Sequence, residues 1–153
     1  MEWMLLPFRR YADFAGRSRR LEFWMFQLLN LIVVTILVAL LMSGIPLAEL
    51  EGMAAEQATG LPAFAATFWL GFVLTMVWWL FTLVPNLALV VRRLHDRDMS
   101  SWWYLGFFVA MLIPFVSFVV AIAFLVLMLL DGTPGPNRYG PDPKGRTDAE
   151  VFA

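Results

Sequence analysis

The residues whose types could support catalysis are concentrated in one short polar segment, residues 92–101. His95 is the single histidine of the chain, Asp96 follows it directly, and Ser100 is near, so a nucleophilic triad has to be considered. However, adjacent side chains diverge on a regular backbone, whereas a triad needs its base and its orienting carboxylate to converge on one nucleophile. We therefore predict that the chain is not an enzyme and that His95 caps a helix end or joins a salt bridge.

A metal or cofactor site is equally poorly supported. Asp96 and Asp98 offer hard oxygen ligands beside His95, but without the spacing of a calcium loop or the histidine pairs that zinc prefers. The chain has no cysteine, which excludes thiolate ligands. The glycines between residues 132 and 140 are separated by prolines and precede no lysine and helix, unlike a phosphate-binding loop. We expect no metal and no cofactor.

Arginines form the strongest group of candidate binding residues. Near a cytoplasmic membrane surface, each basic residue is attracted to anionic lipid by about 1 kcal/mol. Two alternatives remain open: the arginines only orient the protein in the membrane, or Glu22, Asp96 and Asp98 pair with them and lock the leader against the 92–101 segment. The predicted lipid-binding or partner-binding residues are Arg17, Arg19, Arg20, Arg92, Arg93 and Arg97.

The elements that position these residues are long apolar stretches. The chain has 153 residues, of which 61% are hydrophobic and only 15% charged, far from the composition of soluble domains. Residues 23–44, 61–91 and 102–130 contain no charged residue, and each stretch is long enough to cross a bilayer as a helix. We predict an all-α, polytopic membrane protein with about three transmembrane helices, over residues 23–44, 63–91 and 102–130. Residues 1–145 would form one integral-membrane domain, followed by a polar tail at 146–153.

Charge distribution predicts the orientation. The leader, residues 1–22, holds five arginines against three acidic residues, whereas residues 45–60 contain Glu49, Glu51 and Glu56 and no basic residue. Because cytoplasmic loops are rich in Lys and Arg, the N-terminus is predicted to be cytoplasmic and the first two spans to form a hairpin. The net charge of −1 argues against nucleic acid as a partner.

The leader itself has a helical pattern. Met4, Phe8, Tyr11 and Ala15 lie on one helical face, which predicts an interfacial helix that ends at Gly16. Ser18 is then expected to cap the first span.

The third stretch is ambiguous because Pro114 interrupts it. One kinked span would place the C-terminus outside; a fold back at Pro114 would place it inside, with Arg138, Lys144 and Arg146, as the positive-inside rule prefers. Length favours the single span, since two full crossings need about 40 residues. Ser100 or Ser101 is expected to cap its start, beside the amphipathic rings of residues 102–104.

Few polar residues lie within the spans. Gln27 and Asn30 in the first helix, and Asn86 in the second, fall at similar depths if the first two spans form a hairpin. Thr75 and Thr82 share the face of Asn86. We predict interhelical polar contacts by Gln27, Asn30 and Asn86. The alternative is a polar path for a solute.

Three separated motifs carry a family resemblance. They are GRSRRLEFW at residues 16–24, RRLHD at 92–96 followed by two tryptophans, and GTPGPNRYGPDP at 132–143. Together they resemble the small bacterial inner-membrane proteins known as domain of unknown function 805, over nearly the full chain. The acidic segment 49–60 resembles an insertion longer than this family pattern leads us to expect. The motif residues singled out are Gly16, Glu22, His95, Asp96, Asn137, Tyr139 and Gly140.

The resemblance implies a multi-pass protein of the bacterial inner membrane, in which the tail and the two arginine-rich segments work together. It transfers no catalytic residue. The function predicted is that of a non-enzymatic binding, scaffold or accessory protein with an arginine-rich cytoplasmic face for anionic lipid or a protein partner. The alternative is a small transporter or channel subunit that works as an oligomer. The expected partners are membrane lipids and a second copy or another membrane protein.

Overall fold

The structure, a computed structural model, describes residues 2–43 and 61–145. Within those residues the chain is helical, with one isolated bridge between Asn137 and Gly140 and no strand. The acidic segment 45–60, the last residue of the first predicted span and the tail 146–153 lie outside the described residues. The all-α class is confirmed. The helices are α1 (Glu2–Arg9), α2 (Arg20–Ser43), α3 (Leu61–Asp96), α4 (Trp102–Met111) and α5 (Val116–Leu129).

Two of these helices have the length and composition of membrane spans. α2 has 24 residues and α3 has 36, more than the roughly 20 that cross a bilayer. In the most apolar 18-residue stretch of α2 only 6% is buried, and in the corresponding stretch of α3 28% is buried. The core helix of a soluble protein, in contrast, buries its apolar side chains. Large apolar residues such as Leu31, Ile36 and Leu80 point outward. A hydrocarbon environment is the one that suits such surfaces.

The third apolar stretch is two short helices rather than one kinked span. α4 and α5 are separated by residues 112–115, which include Pro114, and Phe115 has a φ of +68°. Phe124 of α5 packs on Tyr104 and Phe107 of α4, with ring centroids 6.3 and 5.5 Å apart. The chain therefore folds back at Pro114, and the favoured single span is corrected. The length argument assumed two full crossings, whereas two shorter helices satisfy their helical backbone hydrogen bonds without each crossing the bilayer.

The leader helix is shorter than its apolar pattern predicted. α1 ends at Arg9, not at Gly16, so Tyr11 and Ala15 lie outside it. Beyond Arg9, Asp13 accepts a hydrogen bond from Arg10 at 2.9 Å and another from the Ala15 backbone N–H at 3.0 Å. Such local side-chain bonds compete with the helix. The bond from Arg10 also holds the pKa of the Asp13 carboxyl below its ordinary value.

The chain forms two compact units. One comprises the described residues up to Gln27 and from Val84 onward; the other comprises those between Leu28 and Leu83. In the second unit a Cβ added at Gly71 would lie 2.8 Å from the Cα of Leu41, so glycine permits a close helix approach there. The hydroxyls of Thr75 and Thr82 donate to carbonyls four residues earlier in their own helix, at 2.7 and 2.8 Å.

Candidate functional site

The polar cap is the part of the first unit formed by three segments: residues 10–22, residues 92–101 and residues 131–144. Asp96 lies at its centre. The Asp96 carboxylate accepts Arg17 Nε at Oδ1, at 2.9 Å, and Arg93 Nη1 at Oδ2. The side chains of Arg17, Arg93 and Asp96 are only 1%, 0% and 5% exposed. Since unpaired buried charges are costly, this arrangement fixes α3 against the leader.

Arg17 also holds the tail. Its Nη1 donates to the carbonyl of Gly135 at 2.7 Å and its Nη2 to that of Thr133 at 2.6 Å. The backbone N–H of Thr133 donates to the Asp96 carbonyl at 2.8 Å. A Cβ at Gly132 would come within 2.0 Å of Asp96 Oδ2, so the tail approaches the carboxylate more closely than a side chain allows. One arginine thus joins all three segments of the cap.

A second buried pair connects the leader with α3. Arg92 Nη2 donates to Glu22 Oε1 at 3.1 Å, and both side chains are buried. Arg92 Nη1 reaches the carbonyl of Asp13, and the backbone N–H of Ser18 donates to the Arg92 carbonyl at 3.2 Å. The Ser18 hydroxyl donates to Glu22. Ser18 therefore orients the ion pair, although it was predicted to cap α2.

His95 has a partner on each side of its ring. Nδ1 lies 3.2 Å from the carbonyl of Gly16 and Nε2 lies 2.9 Å from the Ser101 hydroxyl. Because a carbonyl only accepts, these partners assign the proton to Nδ1 and make Ser101 the donor to Nε2. The ring of Tyr139 stacks on the imidazole, with centroids 3.8 Å apart and planes 4° apart. The Ser101 hydroxyl, predicted as a helix cap, makes no cap bond.

The tail motif closes over the end of α3. Asn137 Nδ2 donates to the His95 carbonyl at 2.9 Å. Asn137 and Gly140 exchange two backbone hydrogen bonds of 3.0 Å, and Gly140 has a φ of +138°, which favours glycine. The motif residues of all three segments therefore meet in one cluster, in which the tail contacts both arginine-rich segments. Among the described residues, no group of three His, Asp or Glu side chains is placed to hold a metal ion.

The six candidate arginines divide into two groups. Arg17, Arg92 and Arg93 are buried and paired within the protein. For these three, the structure shows the open alternative, in which Glu22 and Asp96 pair with the arginines and lock the leader in place. Asp98, also considered for this role, pairs instead with Arg138, at 3.1 Å on the surface.

Arg19, Arg20 and Arg97 are the partly exposed group. Arg19 donates to the carbonyl of Pro143 and lies 5.5 Å over the ring of Trp3. Arg20 donates to the Leu129 carbonyl at 3.0 Å. Arg97 Nη1 donates to the backbone carbonyl of Asp131 at 2.6 Å. These guanidinium groups surround the ends of α2, α3 and α5, where apolar helices meet the polar cap.

One of the predicted interhelical contacts is formed in the first unit. Gln27 Nε2 donates to Asn86 Oδ1 at 3.0 Å, and both side chains are half-buried. This contact connects α2 with α3. Asn30 belongs to the other unit.

Several residues of the cap were missed by sequence reasoning. Thr133 and Gly135 contribute backbone carbonyls, which carry no side-chain signal, and Gly132 contributes only its lack of a side chain. Lys144 forms an ion pair with Asp131 across the tail. Ser18 was expected as a helix cap, but its hydrogen bond to Glu22, which lies in the first turn of α2, was not predicted.

Comparison with known proteins assigns a family to this architecture. The family model described as "Protein of unknown function (DUF805)" matches residues 11–141. Inner membrane protein YhaH of Escherichia coli K12 is 38% identical over 144 residues, covering 94% of this chain and 98% of the relative. Inner membrane protein YhaI of the same organism is 39% identical over 145 residues, covering 94% and 97%. No solved structure matches. The chain belongs to the DUF805 family, and the relatives it resembles are inner membrane proteins.

Proposed function

We propose that this membrane protein is a non-enzymatic binding protein whose cationic face binds anionic phospholipid at the cytoplasmic surface of the inner membrane. The observation that carries the proposal is the division of the arginines. Arg17, Arg92 and Arg93 form buried ion pairs, which we call the buried framework of the cap. This framework holds Arg19, Arg20 and Arg97 at the ends of exposed apolar helices. A guanidinium group is well suited to phosphate because its planar fork can donate two parallel hydrogen bonds.

The surroundings of these arginines favour lipid over a soluble anion. Leu21 at the start of α2 and Leu129 at the end of α5 are exposed next to Arg20. A lipid bound there could place its phosphate on the guanidinium group and its acyl chains on the apolar side chains. One lipid molecule would make both the polar and the apolar interaction. Free phosphate or an acidic peptide would not match both parts of this surface.

The cap also supports the cytoplasmic orientation. Contacts within the first unit join the arginine-rich leader, the end of α3 and the tail to one another. All three segments carry basic residues, so the positive-inside rule acts on them in the same direction. This agreement favours a fold in which N-terminus and tail both face the cytoplasm.

The environment of His95 supports a non-catalytic role. Both ring nitrogens have partners from the chain itself, and Tyr139 covers one ring face. Asp96 is likewise held by two arginines. A general base must reach a substrate proton within hydrogen-bond distance, and these two groups are already engaged. Their role is to connect the segments of the cap.

Native mass spectrometry of the detergent-purified protein tests the proposal. The triple variant Arg19→Gln, Arg20→Gln, Arg97→Gln should lose the phosphatidylglycerol that the wild type retains, and Arg138→Gln is the matched control, since Arg138 is exposed and lies in the tail. Arg92 and Arg93 are unsuitable targets because their removal would disturb the buried framework.

The outcomes separate the candidate functions. Retention of phosphatidylglycerol by the wild type and the control, with loss in the triple variant, would support the proposal. Equal retention of phosphatidylglycerol and phosphatidylcholine by every protein would refute it and leave a protein partner as the ligand of the cationic face. A lipid-free oligomer would also refute it and would favour the transporter or channel alternative, which solute flux in liposomes would then examine.

A further inference from the structure

Three cationic side chains converge on Asp131, the residue that follows the end of α5. Arg20 Nη2 lies 2.8 Å from Asp131 Oδ1, and Lys144 Nζ contacts the same oxygen. Arg97 Nη1 donates to the backbone carbonyl of Asp131 at 2.6 Å. Two positive charges thus share a single oxygen atom of one carboxylate, and a third positive charge binds the backbone carbonyl of the same residue. The site keeps a local excess of positive charge even with Asp131 ionised.

The site is open to an incoming ligand. The side chains of Arg20, Lys144 and Asp131 are 41%, 32% and 49% exposed, unlike the buried pairs at Asp96 and Glu22. Exposed ion pairs of this kind are held only weakly, because water and salt screen them. An anion that also gains contacts with the neighbouring surface can therefore displace the carboxylate without disturbing the buried framework of the cap.

Apolar surface adjoins the charged groups. Leu129 and Leu130 directly precede Asp131, and Leu21 directly follows Arg20; all three are exposed. The carbonyl of Leu129 accepts a hydrogen bond from Arg20, so the charged and apolar groups belong to one continuous surface. A ligand that matches this surface has an anionic head and a hydrocarbon body.

We propose that Arg20, Arg97 and Lys144 form a specific site for the phosphodiester of one anionic phospholipid, and that Asp131 occupies this site as an internal counter-ion when no lipid is bound. The site deepens the proposed function and rests on it. Lipid binding exchanges the Asp131 carboxylate for the phosphate as the partner of Arg20 and Lys144. Asp131 thereby competes with the lipid and sets its affinity.

Titration of the purified protein with short-chain phosphatidylglycerol in neutral detergent tests the competition. Asp131→Asn should bind the lipid about five to ten times more tightly than the wild type, because one negative charge a few ångströms from the phosphate is removed. Arg20→Gln and Lys144→Gln should each weaken binding about fivefold, as expected for loss of one basic residue worth about 1 kcal/mol. Lys144 lies in the exposed tail, so its variant remains informative if Arg20→Gln fails to fold.

The matched control is Asp98→Asn, which removes an exposed carboxylate that pairs with Arg138 elsewhere on the cap. Its affinity should equal that of the wild type. If Asp131→Asn binds no more tightly than Asp98→Asn, the proposed competition is refuted. Inorganic phosphate is titrated in parallel, and affinity for it equal to that for the lipid would show a general anion site and overturn the lipid assignment.

The two proposals fail in different ways. If the triple arginine variant loses phosphatidylglycerol while the Asp131 and Lys144 variants bind like the wild type, the cationic face binds lipid but not at this site. If phosphatidylglycerol and phosphatidylcholine bind every variant equally, both proposals fail.

Discussion

Removal of the charge of Asp96 should destabilise the protein far more than removal of the charge of Asp98. Asp96→Asn keeps the shape of the side chain but leaves Arg17 and Arg93, both almost fully buried, without their carboxylate. Loss of one partner of a buried ion pair costs about 3–5 kcal/mol. Because Asp96 is the partner of two arginines, we expect a loss of unfolding free energy at or above about 3–5 kcal/mol.

Asp98→Asn is the internal control for this prediction. Asp98 pairs with Arg138 at 3.1 Å, but both side chains are about half exposed, so the pair contributes about 0–1 kcal/mol. Asp98 has a φ of +57°, a conformation that asparagine adopts readily. The substitution should therefore shift the unfolding free energy by no more than about 1 kcal/mol.

The assay is equilibrium unfolding in mixed micelles, with helix content followed by circular dichroism as the fraction of denaturing detergent rises. Both variants and the wild type are compared at the same pH and salt concentration. If Asp96→Asn and Asp98→Asn unfold at the same point as the wild type, the buried carboxylate does not hold the cap together and the reasoning is refuted.

Three further results are expected. Gly132→Ala should destabilise the protein by about 1–3 kcal/mol or more, because its Cβ would collide with Asp96, whereas Gly106→Ala, with nothing within 4 Å, should change the same unfolding free energy by at most about 1 kcal/mol. A double-mutant cycle of Gln27→Leu and Asn86→Leu in that assay should give a coupling of about 0.6 kcal/mol, and zero coupling would show that their hydrogen bond contributes nothing. A cytoplasm-active reporter fused to the C-terminus should be active, since the tail contacts the leader that we propose to be cytoplasmic; an inactive reporter would contradict this orientation.

The membrane character of the fold could be predicted from composition alone. Uncharged stretches of this length leave helices as the solution that satisfies every backbone hydrogen bond in lipid, and α2 and α3 have the expected length and composition. The fold back at Pro114 was harder to predict because two rules disagreed. The contacts of Phe124 with α4 decide for the fold back, and they depend on tertiary packing that no local pattern contains.

The sequence identified residues that belong to the site, but it did not predict the contacts between them. The motifs identified His95, Asp96 and Asn137, but not which atoms they would contact. Arg17 and Arg20 are near neighbours in sequence, yet one is buried against Asp96 and the other is partly exposed at Asp131. Residue type and charge are the same for both arginines. Their burial differs because carbonyls of the tail surround Arg17. Partners that are backbone atoms leave no trace in residue type.

Selective association with anionic lipid is the central claim and can be measured in the membrane itself. The protein is reconstituted into vesicles of phosphatidylcholine, and electron paramagnetic resonance quantifies the motionally restricted fraction of spin-labelled phosphatidylglycerol and, separately, of spin-labelled phosphatidylcholine. The cationic face predicts a larger restricted fraction for phosphatidylglycerol, a difference that shrinks as salt screens the charges and that the triple arginine variant abolishes. Equal restricted fractions for the two lipids at low salt would contradict the account.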